Sequence, residues 1–444
     1  MATVLKRSAL SVALAVALGS ASPLALAQSS NEAELEARIA ELEATVKRLA
    51  GMLEQQQMEV QKVVEAAPPP PPANPIQATT ITPSANPNTA FSFGGFIKVD
   101  SMWTNTDSGE LADGSVGRLF YLPQTIPVGG ADESTDLDAH AQFSRVWFAT
   151  NTTLDSGDKL RSYVEMDFFG NALGNEQSTN TYGATVRHLF FGWNNWLAGQ
   201  TWSNFQDVGA LPDAVDFVGP TEGTSFVRQA QIRYTNGPWS ISLENPETTL
   251  NAFGGGARIS SDDNSVPDVT LRYLHKGDWG HFTIAGVLRQ LKYETTTGIE
   301  DDTFGGGISI SGKYNLGKDD IRYMVNAGSG IGRYLGLGFS NDATLDANGN
   351  LDAIDGWSGF VAYRHVFSPK LRGNLMYSVA DYDTDIVNQG GGANDSAQSF
   401  HANLIYSPLP KVDIGAELIL GEREVANGAD GGMTRLHVAF KYSF

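Results

Sequence analysis

The chain has 444 residues, and its 30 Lys and Arg face 50 Asp and Glu for a formal charge of −20. That balance excludes the usual nucleic-acid binder, whose affinity comes from basic residues displacing counterions from phosphates. With no Cys, disulfides and thiol-bound metal are excluded too, whereas 48 Gly, 10% aromatic residues and a mean hydropathy of −0.20 suit a wall that is apolar on one side only.

Lys6 and Arg7, the apolar run from Ala9 to Leu18, and Ala25-Leu26-Ala27 before Gln28 have the three-part layout of a cleaved secretory signal, so residues 1–27 are expected to be removed. After them no stretch approaches ~18 consecutive apolar residues, and no helix is expected to span a bilayer. Leu35, Leu42, Leu49 and Val63 at one spacing of seven, and Ile39, Val46, Leu53 and Val60 at another, predict a left-handed α-helical coiled coil over 28–66. Gln56 and Gly51 weaken its last third. The stretch Arg38-Ile39-Ala40-Glu41-Leu42-Glu43 resembles the signature of three-stranded coils, which points to a homotrimer. Pro68 to Pro72, with Pro75, Pro83 and Pro87, cannot continue the helix and predict an extended spacer over 67–90.

From Phe91 to Phe444 the pattern alternates with a period of two. In the last segment Thr434, Leu436, Val438, Phe440, Tyr442 and Phe444 share one face, and Arg435, His437, Ala439, Lys441 and Ser443 share the other. The same rhythm puts Phe93, Ile97, Val99 and Trp103 outward against Lys98 and Asp100, and Leu371, Leu375, Tyr377 and Val379 outward against Arg372 and Asn374. Short turns are expected at 236–238, 276–278, 315–320 and 368–369, and long loops at 104–139, 170–183, 205–225, 251–266, 331–353 and 383–395. The expected fold is all-β, an antiparallel transmembrane barrel of about sixteen strands over 91–444 with periplasmic turns and extracellular loops. The acidic runs Asp132-Glu133, Asp136 with Asp138, Asp262-Asp263 and Glu300-Asp301-Asp302 read as solvated loop surface.

Motifs for phosphate cradles, zinc proteases and serine hydrolases are absent, so no catalysis and no cofactor is expected. A phospholipase of the outer membrane would need a lipid-facing Ser-His pair, and none is convincing. His401 and His437 fall on inward faces and read as wall residues rather than metal ligands. Asp346 to Asp352 spaces oxygens as a calcium loop does, but its Gly is misplaced and no Glu closes it. The informative set is basic. Lys98, Arg145, Arg161, Arg272, Arg289, Lys313, Arg322, Arg364, Arg372, Arg435 and Lys441 alternate with apolar neighbours and are expected on the inner wall. Such cations along a narrow aqueous path favour anions and can fork a carboxylate. Asp100, Glu165, Asp167, Glu244 and Glu417 share the inner face and could pair with them. Residues 205–225, with Trp202, Phe205, Phe217, Asp207, Asp213 and Asp216, are the candidate constriction loop, an acidic segment against a basic wall.

Ser144-Arg145, Asp167-Phe168-Phe169-Gly170, Gly199-Gln200-Thr201-Trp202-Ser203-Asn204-Phe205, Pro212-Asp213, Asp216-Phe217, Gly219-Pro220 and Arg228 to Thr235 together resemble the DcaP-like family of trimeric outer-membrane porins. The match extends to Gly330–Tyr334 and the last strand, and covers essentially the mature chain. The resemblance implies three pores on a shared periplasmic coiled coil and uptake of small anionic solutes such as dicarboxylates. By matching position it adds Arg228 and Arg233 to the pore set, although residues five apart on a strand face opposite ways, so one of them is expected at the rim or in a bulge. Ala230 stands where the family tends to have Pro. Phe444, with Tyr442 and Phe440, also looks like the signal read by the barrel-assembly machinery. The other reading of the same barrel is an outer-membrane receptor or adhesin whose acidic loops bind a partner.

Overall fold

The computed structural model describes residues 88–170, 179–295, 298 and 300–444, together with Ala44, Thr45, Lys47, Arg48, Gly51, Met52, Glu54 and Gln55. Those last residues are helical and exposed; the signal segment, the heptad positions and the prolines of the spacer lie outside the described residues. Everything that follows concerns the unit Ile76–Phe444.

Among the described residues no helix is long and apolar enough to cross a membrane; a chain that crosses with strands must satisfy its backbone between them, and only a closed sheet leaves no unpaired edge. Here 17 strand segments form that sheet, a closed antiparallel barrel of 16 staves. Closure pairs the first strand, Thr89–Thr106, with the last, Asp430–Ser443, from Phe96 opposite Ser443 to Thr106 opposite Met433. The second stave is in two pieces. Asp136–His140 pairs with the upper half of the first strand and Arg145–Thr153 with its lower half. Across the break Ser144 Oγ accepts from Lys98 N–H at 3.0 Å and donates to Lys98 C=O at 3.2 Å, so a hydroxyl replaces the missing ladder rung.

The period-two pattern translates directly into two surfaces. On the last strand Thr434, Leu436, Phe440 and Tyr442 are exposed while Met433, Arg435, His437 and Ala439 are buried; on the first, Phe93, Ile97 and Trp103 are exposed while Asp100 and Met102 are buried. The exposed face carries Trp193, Trp196, Trp239, Trp279, Tyr314, Tyr406 and Tyr442 beside the short turns, the amphipathic ring expected where lipid meets water. All four expected short turns join strands at this end, and the strand ends that flank the six expected long loops lie at the opposite one. Asp136, Asp138 and Glu300 to Asp302 depart from expectation by lying on strand ends rather than in loops.

Two features were not foreseen. A small second sheet orders Ile259–Ser261, Thr248–Asn251, Ala343–Leu345 and Leu351–Ala353 across two different loops, and its Leu250 and Ala343 are fully buried with Leu291. The first loop, 107–135, turns inward, where Tyr121 and Ile126 pack on Ile419 and Met433 of the wall. The apolar core therefore sits between inward loops and the wall.

Candidate functional site

The loop between the strands Trp196–Trp202 and Arg228–Asn236 is held compact by its own polar side chains. Ser203 Oγ accepts from Phe205 N–H at 3.1 Å, Asp207 caps the 3-10 turn Val208–Ala210 through Gly209 N–H at 3.0 Å, and Asp216 accepts from Val218 and Gly219 N–H, both at 3.1 Å. Such turns free the segment from the ladder without leaving its buried N–H groups unpaired.

Its bonds then run across the interior. Asp207 accepts from Thr283 and Ser311 hydroxyls at 3.0 and 3.1 Å and lies 2.8 Å from His281 Nε2. Asp213 accepts from Arg372 at 2.5 Å, and its carbonyl accepts from Asn374 and Asn403 at 2.9 and 3.0 Å. Val215 C=O accepts from Lys98 Nζ at 2.7 Å, and Val215 N–H donates to Glu417 at 2.6 Å. Gly223 N–H donates to Ser378 Oγ at 2.9 Å; a Cβ there would lie 2.3 Å from Gly359 O, so the loop touches the wall where only glycine fits. A segment that leaves the middle of the chain is thus fastened to the first strand and to the last strands of the barrel. This is the loop expected at the constriction.

Its three aspartates are engaged in that fastening. Asp216 is buried and accepts from Tyr121 N–H at 2.8 Å. Burial by itself would raise its pKa, but His437 and the N–H groups of Tyr121 and Gly219 hold it well below the usual carboxylate range. Glu222 on the same loop is the opposite case. It is fully buried, neither carboxylate oxygen makes a well-formed hydrogen bond among the described residues, and burial raises its pKa against the lowering effect of the nearby Ser399 hydroxyl.

With the loop's three aspartates engaged, the remaining inward charges are those of the wall. Carboxylates are shared: Glu165 lies 3.2 Å from Arg145 and 2.9 Å from Arg187, Asp320 lies 2.8 Å from Arg322 and 2.9 Å from Arg364, and Asp413 lies 3.3 Å from Arg372 and 3.2 Å from Lys441. Among the described residues Arg161, Arg228, Arg233, Arg272 and Lys313 have no carboxylate within 4.0 Å. Arg161 lies over the Tyr163 and Phe190 rings, Arg233 donates to Gln231 at 2.9 Å, and Arg272 donates to Gln206 C=O of the inner loop at 3.2 Å. Arg233 continues the inward face of Gln229 and Gln231, whereas Arg228 begins its strand and lies over the Trp202 ring at 4.9 Å. The conflict of parity between these two arginines resolves at the strand's end.

Other expected residues are placed differently. Arg289 is inward but sealed, 3.4 Å from Asp268 of the wall and 2.7 Å from Asp342 with no exposed surface, and by donating to Asp342 and to Glu247 C=O it ties two long loops together. Arg435 is also fully buried, donating to Thr104 at 2.8 Å and to Gly117 C=O of the first loop at 2.6 Å. His401 and His437 pair with Glu417 and Asp100 at 2.9 and 2.8 Å, and Glu244 accepts from Asn204 N–H at 2.8 Å. Asp346 uses its carboxylate on its own turn, accepting from Asn348 and Asn350 N–H at 2.7 and 2.8 Å. Phe444 N–H donates to Gly95 C=O at 3.0 Å, and its ring faces outward beside Tyr442. Sequence reasoning missed Arg187, which is buried on Glu165 and on Asp167 at 2.7 Å. It sits where the register slips between Glu165 and Met166, and a period-two reading has no place for a residue in a bulge.

The sequence profile of the DcaP outer membrane protein family matches residues 22–444. No curated protein matches the sequence. Among solved structures the chain is similar to the outer membrane channel DcaP of Acinetobacter baumannii, 21% identical at a TM-score of 0.67 over 81% of this chain and 99% of that one. It is similar also to the trimer form of in-vitro folded OmpT of Vibrio cholerae, 12% identical at a TM-score of 0.51 over 80% of this chain and 99% of that one. A third similar structure is OmpF of Salmonella typhi in complex with daunomycin, 12% identical at a TM-score of 0.50 over 80% and 98% of the two chains. At these identities the likeness is one of fold.

Proposed function

This chain belongs to the DcaP outer membrane protein family, and from that premise we propose that it is a porin whose lumen passes small anionic solutes, dicarboxylates among them. The observation that carries the reading is the imbalance on the inner wall: acids shared between two cations, and Arg161, Arg233, Arg272 and Lys313 without a carboxylate partner among the described residues. Fixed positive charge beside a narrow aqueous path lowers the energy of an anion there and raises that of a cation. A loop drawn across the lumen narrows the path, and the donors left on the guanidinium groups match the geometry of a carboxylate.

The test is the reversal potential of the purified channel in planar bilayers under a salt gradient. Anion preference is expected in the native chain, with the triple variant R161Q/R233Q/R272Q losing most of it at 0.1 M salt and less of it at 1 M, where the Debye length is about 3 Å. Cation preference in the native channel would end the reading.

The three-stranded signature in Arg38 to Glu43 supports a homotrimer with residues 28–66 on the periplasmic side, and the similar OmpT structure is a trimer form. Cross-linking of the full chain beside one lacking 28–66 tests this. The outward, terminal Phe444 supports a role in recognition by the assembly machinery; its deletion is expected to lower the yield of heat-modifiable oligomer.

A further inference from the structure

The loop end of the barrel is acidic, as Asp262, Asp263, Asp346, Asp352, Asp383 and Asp385 illustrate. Within it lies a cavity of about 430 Å³ between the loops 107–135, 245–267, 330–354 and 383–393, and its lining contains no Asp or Glu. The charged residues there are Arg258 and Arg423, set among the amides of Asn251, Asn341, Gln389 and Asn394 and a glycine-rich backbone.

The two arginines are held in the same way. Arg258 donates through Nε to Asn341 Oδ1 at 2.6 Å and through one terminal nitrogen to Gly338 C=O at 2.5 Å. Arg423 donates through Nε to Asn394 Oδ1 at 2.8 Å and through one terminal nitrogen to Ile126 C=O at 2.6 Å. In each case neutral acceptors fix the fork and leave the remaining terminal nitrogen, Nη1 of Arg258 and Nη2 of Arg423, without a bond among the described residues. Arg258 is an exposed residue and Arg423 a half-buried one, and Nη2 of Arg423 is not among the buried nitrogens without a partner. Gly338, at φ +73, seats the first guanidinium: a Cβ there would lie 2.8 Å from Nη1. Among the described residues neither guanidinium has a carboxylate within 4.0 Å to neutralise it. Neither residue is part of the wall set described above.

We propose that this cavity is a capture site for small organic carboxylates at the loop-side mouth, separate from the inner loop, with Arg258 and Arg423 supplying one charged donor group each. Its volume falls in the range that encloses a small molecule, and its charge is opposite to that of its surroundings, so an anion that has crossed the acidic rim meets its first attraction here. The inference rests on the anion-conducting reading.

The experiment is the unitary conductance of the full chain in planar bilayers as a function of succinate concentration, with succinate as the probe. A capture site makes the curve saturate. The variants R258Q and R423Q are each expected to raise the half-saturating concentration at least about threefold, and together on the order of tenfold, with the maximal current kept. K292Q removes a loop-end charge that is paired with Glu300 at 3.0 Å outside this cavity, and should leave the curve unchanged. Gly392→Asp is the second approach. A Cβ at that lining position meets nothing within 4 Å, so the variant adds a carboxylate without touching either arginine, and it should shift the curve in the same direction. A curve that does not saturate, or that is the same in R258Q/R423Q and in Gly392→Asp as in the native chain, overturns the site while leaving anion selectivity standing. Cation selectivity in the salt gradient overturns both.

Discussion

Arg289 and Lys313 both alternate with apolar neighbours, and both point into the barrel, yet they do opposite things. Arg289 lies at the loop end, enclosed by Asp268 and Asp342 with no exposed surface. Lys313 lies near the turn end, half-buried, with no carboxylate within reach among the described residues, and its cross-strand neighbours are His281 and Arg322. A cation in a sealed pair is scaffold, because its charge is cancelled and its removal strands two acids; a cation facing water is available to a solute. Wall cations with carboxylate partners, such as Arg289 and Arg372, hold loops, whereas Lys313, with none among the described residues, is left to the lumen.

Four outcomes test that contrast. Arg289→Gln should be the most damaging, because it leaves Asp268 and Asp342 buried without their partner, a loss of about 3–5 kcal/mol; thermal unfolding in detergent should show it, with ion selectivity in the surviving channels close to native. Next in size, Asp207→Ala removes the acceptor for Thr283 and Ser311 and the partner of His281. It should loosen the inner loop by about 2–3 kcal/mol, seen as a higher and noisier single-channel conductance.

Glu222→Gln should act in the other direction. Its pKa is raised by burial, so whatever stability this carboxyl contributes is present below its unfolded pKa of about 4.3 and is lost as pH rises through the folded value. The amide should therefore raise the unfolding temperature at pH 7, and the gain should vanish near pH 4; an equal effect at both would remove the buried-acid explanation. Smallest, Lys313→Gln should change stability by less than about 0.5 kcal/mol while lowering the chloride-to-potassium permeability ratio by about twofold at 0.1 M salt. If Lys313→Gln unfolds the barrel, or Arg289→Gln shifts selectivity more than stability, the division between scaffold and lumen is wrong.

Much of the barrel was legible because a strand in a two-faced wall writes its surroundings into every second residue. Thr434 to Phe444, the turns at Asn236–Pro238 and Ser368-Pro369, and the long loops all come from that rhythm and from turn chemistry. The inner loop was legible by its place after the strand ending at Trp202. Pairing along the wall, as of Arg145 with Glu165, was open to the inward pattern, but pairing between wall and loop was not legible. Asp342 lies 53 residues from Arg289, and nothing local marks one as the partner of the other. The small sheet shared by Thr248–Asn251 and Ala343–Leu345 was hidden for the same reason, since three- and four-residue strands are too short to show a period. Arg187 escaped because a bulge breaks the parity on which inward and outward assignments depend.

The inner loop leaves the wall at Ser203 but is fastened at Lys98 and Glu417. Those attachment points become neighbours only when the strand ending at Ser443 has joined the one beginning at Thr89. The loop's grip on Lys98 together with Glu417 is therefore complete only once the cylinder has shut. Seating this segment and zipping the wall end in the same contact.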